Sequence, residues 1–136
     1  MFHDHSCVVS GARSDNPQVM AQVTIDETAS AIGRTSPDAV VQGLARLLVE
    51  WKLNADNVDE LRTQVERYIG NSWVAGDSTH AAVYGLWSAF CKTAIDCIGG
   101  MSMNERLFHF GLFERFDNAS SSQAKEEIYA KLLAAP

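Results

Sequence analysis

The chain has 136 residues, of which 46% are hydrophobic, and its 11 Lys and Arg against 17 Asp and Glu give a formal net charge of −6 at pH 7. This length and apolar content fit one domain, residues 1–136, with a continuous core. The negative charge argues against nucleic acid and membrane partners, because neutralising phosphates requires clustered cations, and it favours a basic protein partner.

The first 36 residues are predicted to form a β-hairpin or a mobile segment. A β-branched run lies at 7–9, and apolar residues alternate with other residues over 19–25, which is the period of a half-buried strand. Gly11 to Pro17 supplies turn residues between the two runs.

The same region contains the only cluster of candidate metal ligands, His3, His5 and Cys7. Zinc accepts such ligands, but a stable site needs about four of them with a fixed second shell. We therefore expect no metal and no other cofactor. The N-terminus also lacks the cationic start and apolar run of a secretory signal, so we expect a cytoplasmic protein.

Two amphipathic helices are predicted next. Ser36 and Pro37 are typical of a helix start, and the apolar residues from Val40 to Trp51 recur at helical spacing. A short connection leads to a second amphipathic pattern from Val58 to Ile69, which indicates an antiparallel pair. Trp73 then lies in a loop, where it either covers the core or anchors a partner.

The most apolar segment, from Thr79 to Ile98, is predicted to be the central helix, with Lys92 and Asp96 forming a weak exposed pair one turn apart. Cys91 and Cys97 lie on different faces of this helix, so they cannot pair within it. We interpret both as small apolar core residues in a reducing compartment.

Gly99 and Gly100 end that helix, and Ser102 with Glu105 has the spacing of a capping box. After this start, Gly111 permits either a close helix contact or a break between two short helices. A broad buried stripe is predicted across this segment, and an amphipathic last helix is predicted after a polar break at 120–122. The stripe comprises Leu107, Phe108, Leu112, Phe113 and Phe116, and the last helix turns Ala124, Ile128, Leu132 and Leu133 inward.

The segment 101–117 resembles the opening of small uncharacterised bacterial proteins. It carries Met101, then Asn104-Glu105-Arg106-Leu107, Gly111-Leu112 and Phe116-Asp117, on the pattern Met-x-x-Asn-Glu-Arg-Leu, Gly-Leu, Phe-Asp. The resemblance covers this segment only, and residues 1–100 match no recognised family. Some proteins of this kind look like companions of bacterial toxins, so the resemblance implies a toxin-immunity role.

We predict a mainly α single-domain bundle of about five helices, with an α+β fold built on the N-terminal strands as the alternative. The expected function is a protein-binding inhibitory module, an immunity protein that covers the active surface of a toxin or effector. Its expected partner contacts are Trp73, Glu105, Glu114 and Asp117.

Two alternatives remain. One is a structural or regulatory adaptor that self-associates, for example as a homodimer, through the Phe-rich segment. The other is a small metal-dependent enzyme that uses His3, His5 and Cys7. Nucleophile elbows, phosphate-binding loops, dinucleotide fingerprints and Cys-x-x-Cys pairs do not occur in the sequence, so we expect a protein that is not an enzyme.

Overall fold

The helices of this protein follow one another along the chain with short connections. A computed structural model describes residues 23–71 and 77–135, and these two stretches form seven α-helices and no strand. The prediction of a mainly α fold is therefore confirmed. The α-helices are α1 Ile25–Thr35, α2 Ala39–Trp51, α3 Val58–Asn71, α4 Asp77–Phe90, α5 Met103–Phe110, α6 Phe113–Asp117 and α7 Ser122–Lys131, with a π-helix at Cys91–Ile95 and a 3-10 turn at Ile98–Gly100.

Helix α1 corrects the prediction for the N-terminal region. The expected hairpin over 1–36 is wrong for residues 25–35, which are helical, and the rest of it, residues 1–22, lies outside the described residues. The Thr24 hydroxyl accepts a hydrogen bond from the Glu27 amide at 3.1 Å and so starts the helix. Ile25, Ala29 and Ile32 are buried at helical spacing. The alternating apolar pattern that suggested a strand ends at Ile25, where the helical spacing of the buried residues begins.

Helices α2 and α3 confirm the predicted pair. The N-cap of α2 is Asp38, whose Oδ1 accepts from the Val40 amide at 2.9 Å, and not Ser36 as the sequence suggested. The two helices approach closely at Gly43, where an added Cβ would collide with the Tyr68 hydroxyl. That hydroxyl donates to the Val40 carbonyl at 2.7 Å. The buried faces are Val41, Leu44, Leu48 and Trp51 on α2 and Val58, Leu61, Val65 and Ile69 on α3.

The predicted central helix is interrupted. Its α-helical part ends at Phe90, and the π-helix Cys91–Ile95 carries the chain on to the 3-10 turn. Asp96 forms an ion pair with Arg62 of α3. The predicted pair of Asp96 with Lys92 is therefore wrong, because the neighbouring helix offers a guanidinium to the same carboxylate.

Four aromatic rings join the helices in the core. Phe110 lies 5.5 Å from Trp51 and 5.4 Å from Phe90, and Phe90 lies 5.9 Å from Trp87, between ring centroids. All four side chains are at most 1% exposed. Phe110, which the predicted stripe omitted, is thus the link between α2, α4 and α5.

Candidate functional site

Helix α6 carries two of the four predicted partner contacts. Glu114 and Asp117 are both exposed on it, and Glu105 is exposed at the start of α5. Trp73 lies outside the described residues, as do His3, His5 and Cys7. Glu105 also has a structural role, because its Oε1 accepts from the Ser102 amide at 2.8 Å while the Ser102 hydroxyl accepts from the Glu105 amide at 3.1 Å. The predicted capping box is confirmed.

A left-handed turn at Gly111 separates α5 from α6. Gly111 has φ of 64°, a conformation that favours glycine, and its amide bonds to the carbonyls of Leu107 and Phe108. The turn changes the direction of the chain, so Phe113 does not continue the buried stripe of α5. Phe113 is 42% exposed, and its predicted burial is wrong.

Phe116, on the same short helix, is half-buried against α7. Its ring lies 5.8 Å from that of Tyr129 on α7, and the Lys125 ammonium lies 4.4 Å from its centroid. Phe113 is therefore the large apolar side chain that α6 leaves to solvent. Asp117 follows it by four residues, so the two occupy the same face of the helix.

Arg115 fixes α6 against the loop between α2 and α3. Its Nη1 donates to the Lys52 carbonyl at 2.6 Å and to the Asn54 carbonyl at 3.3 Å. Between these two residues, Leu53 is 78% exposed. Gly111 also packs here, because a Cβ at that position would lie 3.1 Å from the Lys52 ammonium. Helix α6 and this loop consequently form one surface, with Phe113 and Leu53 as its exposed apolar side chains.

Lys131 holds the same loop from the other side. Its ammonium donates to the Asn54 carbonyl at 2.8 Å, the Asn54 side chain at 3.1 Å and the Asp56 carbonyl at 2.7 Å, and it lies 3.9 Å from the Trp51 ring centroid. Lys131 is 2% exposed. Burial lowers its pKa to about 8, and the nearby charge of Arg115 acts in the same direction. This role was missed, because a lysine at the end of an amphipathic helix ordinarily faces water.

A second buried cation anchors the end of the chain. Arg106 donates from Nη1 to the carbonyls of Leu132 and Leu133, at 3.1 and 2.7 Å. Leu133 has φ of 58° and is 38% exposed, so its predicted inward orientation is wrong. Ile128 and Leu132 are buried as predicted.

Between residues 103 and 131, the acidic side chains and the basic side chains differ in how far they are exposed. All five acidic residues of this range are exposed, whereas all four Lys and Arg are buried or half-buried. Arg106, Arg115 and Lys131 direct their charge at backbone carbonyls. The surface over α5 to α7 is therefore more acidic than the composition alone indicates. The acidic residues are Glu105, Glu114, Asp117, Glu126 and Glu127.

His109 and Cys91 have structural roles. His109 is buried, and its Nδ1 is 2.5 Å from the Val23 carbonyl before α1. Burial raises the pKa of the free thiol of Cys91 to about 12, so this cysteine is not a nucleophile at neutral pH. Its predicted core position is confirmed.

Cys97 differs from its predicted role. It is half-buried, whereas we expected a small apolar core residue. The cytoplasmic location stays a prediction. No group of three or more His, Cys, Asp or Glu residues within 23–71 and 77–135 is arranged to hold a metal ion.

A pocket of about 250 Å³ lies between the α2–α3 loop, α6 and α7. Its polar lining residues are Asn54, Asn57, Arg115, Glu127 and Lys131. None of the helices in the described parts has the length and apolar character needed to cross a bilayer.

No protein-family model matches this chain, and no curated protein or solved structure shows a significant similarity to it. The resemblance of residues 101–117 to small bacterial proteins accordingly stays a prediction.

Proposed function

We propose that the protein is a protein-binding inhibitory module, most concretely an immunity protein that neutralises a bacterial toxin or effector by occluding its active surface. The observation that carries this proposal is the sorting of charge over α5 to α7, with carboxylates outside and cations inside. The resemblance of 101–117 to small bacterial proteins, some of which look like companions of toxins, gives the proposal its specific form.

The mechanism that fits this surface is electrostatic attraction followed by apolar anchoring. Exposed carboxylates at Glu114 and Asp117 attract a basic cleft and raise the association rate. Phe113 and Leu53 then supply apolar contacts that slow dissociation, since exposed aromatic side chains are the usual interface anchors. Binding and occlusion require no catalytic group of this chain.

The fixed geometry of the surface also favours binding. Arg115 ties α6 to the α2–α3 loop, and Lys131 ties the loop to α7. A partner therefore meets a surface that is already ordered, so little conformational entropy is lost on association.

The test is capture of partners on the tagged full chain from its native lysate, at low and moderate salt. Wild type is compared with Glu114→Lys/Asp117→Lys and with a control of equal charge change on α3, Asp59→Lys/Glu66→Lys. We expect one partner with a basic active cleft that wild type and the control retain and the α6 variant loses. The association rate of the α6 variant should fall by about tenfold at low salt.

A protection assay distinguishes inhibition of the partner from binding without inhibition. Co-expression with the captured partner should restore growth or abolish the partner's activity when wild type or the α3 control is present. If both double variants lose binding equally, the net charge of the protein, and not the surface on α6, determines binding. Recovery of the bait alone, at the mass of a dimer in sedimentation, would replace the proposal with the self-associating adaptor.

A further inference from the structure

We propose that the pocket between the α2–α3 loop, α6 and α7 binds a carboxylate through the free edge of the Arg115 guanidinium. The proposal does not rest on the inhibitory function, although α6 and the α2–α3 loop border both the pocket and the proposed partner surface. It rests on a cavity of about 250 Å³ whose lining includes Arg115, Asn54, Asn57, Glu127 and Lys131.

Arg115 has one edge occupied and one edge available. Nη1 donates to the carbonyls of Lys52 and Asn54. Among the described residues, this guanidinium makes no other hydrogen bond and pairs with no carboxylate, so Nε and Nη2 have no acceptor. Nε and Nη2 form a planar fork that matches the two oxygens of a carboxylate. Because Nη1 is fixed, the orientation of this fork is fixed as well.

Lys131 adds a positive field but no direct contact. Its three N–H groups match the three acceptors that surround it, on Asn54 and Asp56. The charges of Lys131 and Arg115 repel each other, and this repulsion contributes to the low pKa of Lys131, while Asp56 and Glu60 act in the opposite direction. An anion bound to Arg115 would offset the repulsion, so its binding should favour the protonated lysine.

The remaining charges near the pocket are accounted for. Lys52 is paired with Asp26 at 2.9 Å. Glu127, on α7, is the one carboxylate that lines the pocket among the described residues, and it is exposed. It therefore opposes an incoming anion. The hydrogen bonds from Arg115 Nη1 and from the Lys131 ammonium to the carbonyls of the α2–α3 loop account for these two groups. They leave the Nε and Nη2 edge of Arg115 without an acceptor.

The probes are sodium acetate, N-acetylalanine and N-acetylalanine amide, each titrated into the full chain at pH 7 with ionic strength held by sodium chloride. The readouts are the NMR signals of the Arg115 Nε–H group and the Asn54 and Asn57 side-chain amides. We expect saturable shifts with both carboxylates and none with the amide. Tighter binding of N-acetylalanine than of acetate would identify a peptide carboxylate as the ligand, and equal binding would identify small acids.

Two neighbouring residues of α7 give a matched pair of variants. Glu127→Gln removes the opposing carboxylate and should tighten acetate binding by about threefold, the effect expected for a near-surface charge pair. Glu126→Gln, which changes a residue that does not line the pocket, should leave the affinity unchanged. Arg115→Gln should abolish binding, while Arg46→Gln on α2 should not.

The affinity for acetate should also fall as the pH rises above 8, where Lys131 loses its proton. The proposal is overturned if chloride produces the same shifts as acetate, or if Glu127→Gln and Glu126→Gln behave alike. The comparison of the two glutamate variants decides the matter even if Arg115→Gln does not fold.

Discussion

The absence of a side chain at Gly111 allows the turn between α5 and α6 to lie against Asp26 of α1 and Lys52 of the α2–α3 loop. A Cβ added there would lie 2.6 Å from Asp26 Oδ2 and 3.1 Å from Lys52 Nζ, two groups that pair with each other at 2.9 Å. The positive φ adds strain for any other residue. The position is thus limited both by its backbone conformation and by the ion pair beside it.

We predict that Gly111→Ala lowers the free energy of unfolding by about 1–2 kcal/mol, because the substitution strains the turn and displaces the ion pair. Urea denaturation measures this change. The control is Gly70→Ala on α3, where an added Cβ meets nothing within 4 Å. It should be neutral or slightly stabilising, since alanine is the better helix former. Equal stability of the two variants would contradict the account of Gly111.

The sequence predicted some of these residues and not others. It identified Gly111 as the site of a close contact or a break, and the structure has both, because glycine carries a strong local signal. It gave no sign that Lys131 would be buried, since the lysine's acceptors lie 75 and 77 residues earlier in the chain. The candidate pocket depends on such distant pairs, and local patterns do not encode them.

At the scale of the element, α5 shows how one residue serves stability while it remains available to a partner. Glu105 closes the capping box with Ser102, yet it is exposed and belongs to the proposed acidic surface. A loss of binding after substitution at Glu105 would therefore be ambiguous unless the cap is preserved.

Glu105→Gln and Glu105→Ala separate these roles. The glutamine keeps an oxygen that accepts from the Ser102 amide, so its free energy of unfolding should stay within about 0.5 kcal/mol of wild type. The alanine should cost about 1 kcal/mol, because it leaves that amide without its acceptor. Chemical denaturation gives both values. If the glutamine variant is as unstable as the alanine variant, the charge at the helix N-terminus matters more than the hydrogen bond.

Elements with regular apolar spacing were predicted correctly, and irregular ones were not. The sequence located α2 and α3, because four buried residues on each recur at intervals of three or four. It mistook the start of α1 for the end of a strand, and it missed the π-helix at Cys91–Ile95. The five residues of this π-helix have no distinctive composition, so the sequence does not reveal it.

At the scale of the whole molecule, buried cations join segments that are far apart in sequence. Lys131 connects the last helix to the α2–α3 loop, and Arg106 connects α5 to the chain beyond α7. The cost of burying Lys131 appears in its pKa, which is lowered to about 8. Stability should therefore depend on pH in a way that this residue controls.

Between about pH 8 and the ordinary lysine pKa of 10.5, the unfolded chain binds one more proton at Lys131 than the folded chain. This group should thus make the protein more stable as pH rises through that window, by at most ~1.4 kcal/mol per pH unit. Cys91 acts oppositely above its ordinary value of 9, because its pKa is raised to about 12 in the fold.

The comparison that isolates Lys131 is urea denaturation of wild type and Lys131→Met at several pH values from 7 to 10. Lys131→Met should be about 2 kcal/mol less stable at pH 7, because it leaves buried carbonyls unpaired. The stability difference between the two proteins should widen as pH rises. A difference that stays constant over this range would show that Lys131 titrates at its ordinary value.

The tie between Lys131 and the α2–α3 loop also bears on synthesis of the chain. The Asp56 carbonyl that Lys131 binds is made 75 residues before the lysine. At ordinary translation speeds this interval lasts roughly 4–15 s. During that time the loop has no ammonium to bind, and one face of Trp51 has no cover. A nascent chain halted before Lys131 should therefore remain open at this corner, where chaperones can recognise the uncovered tryptophan.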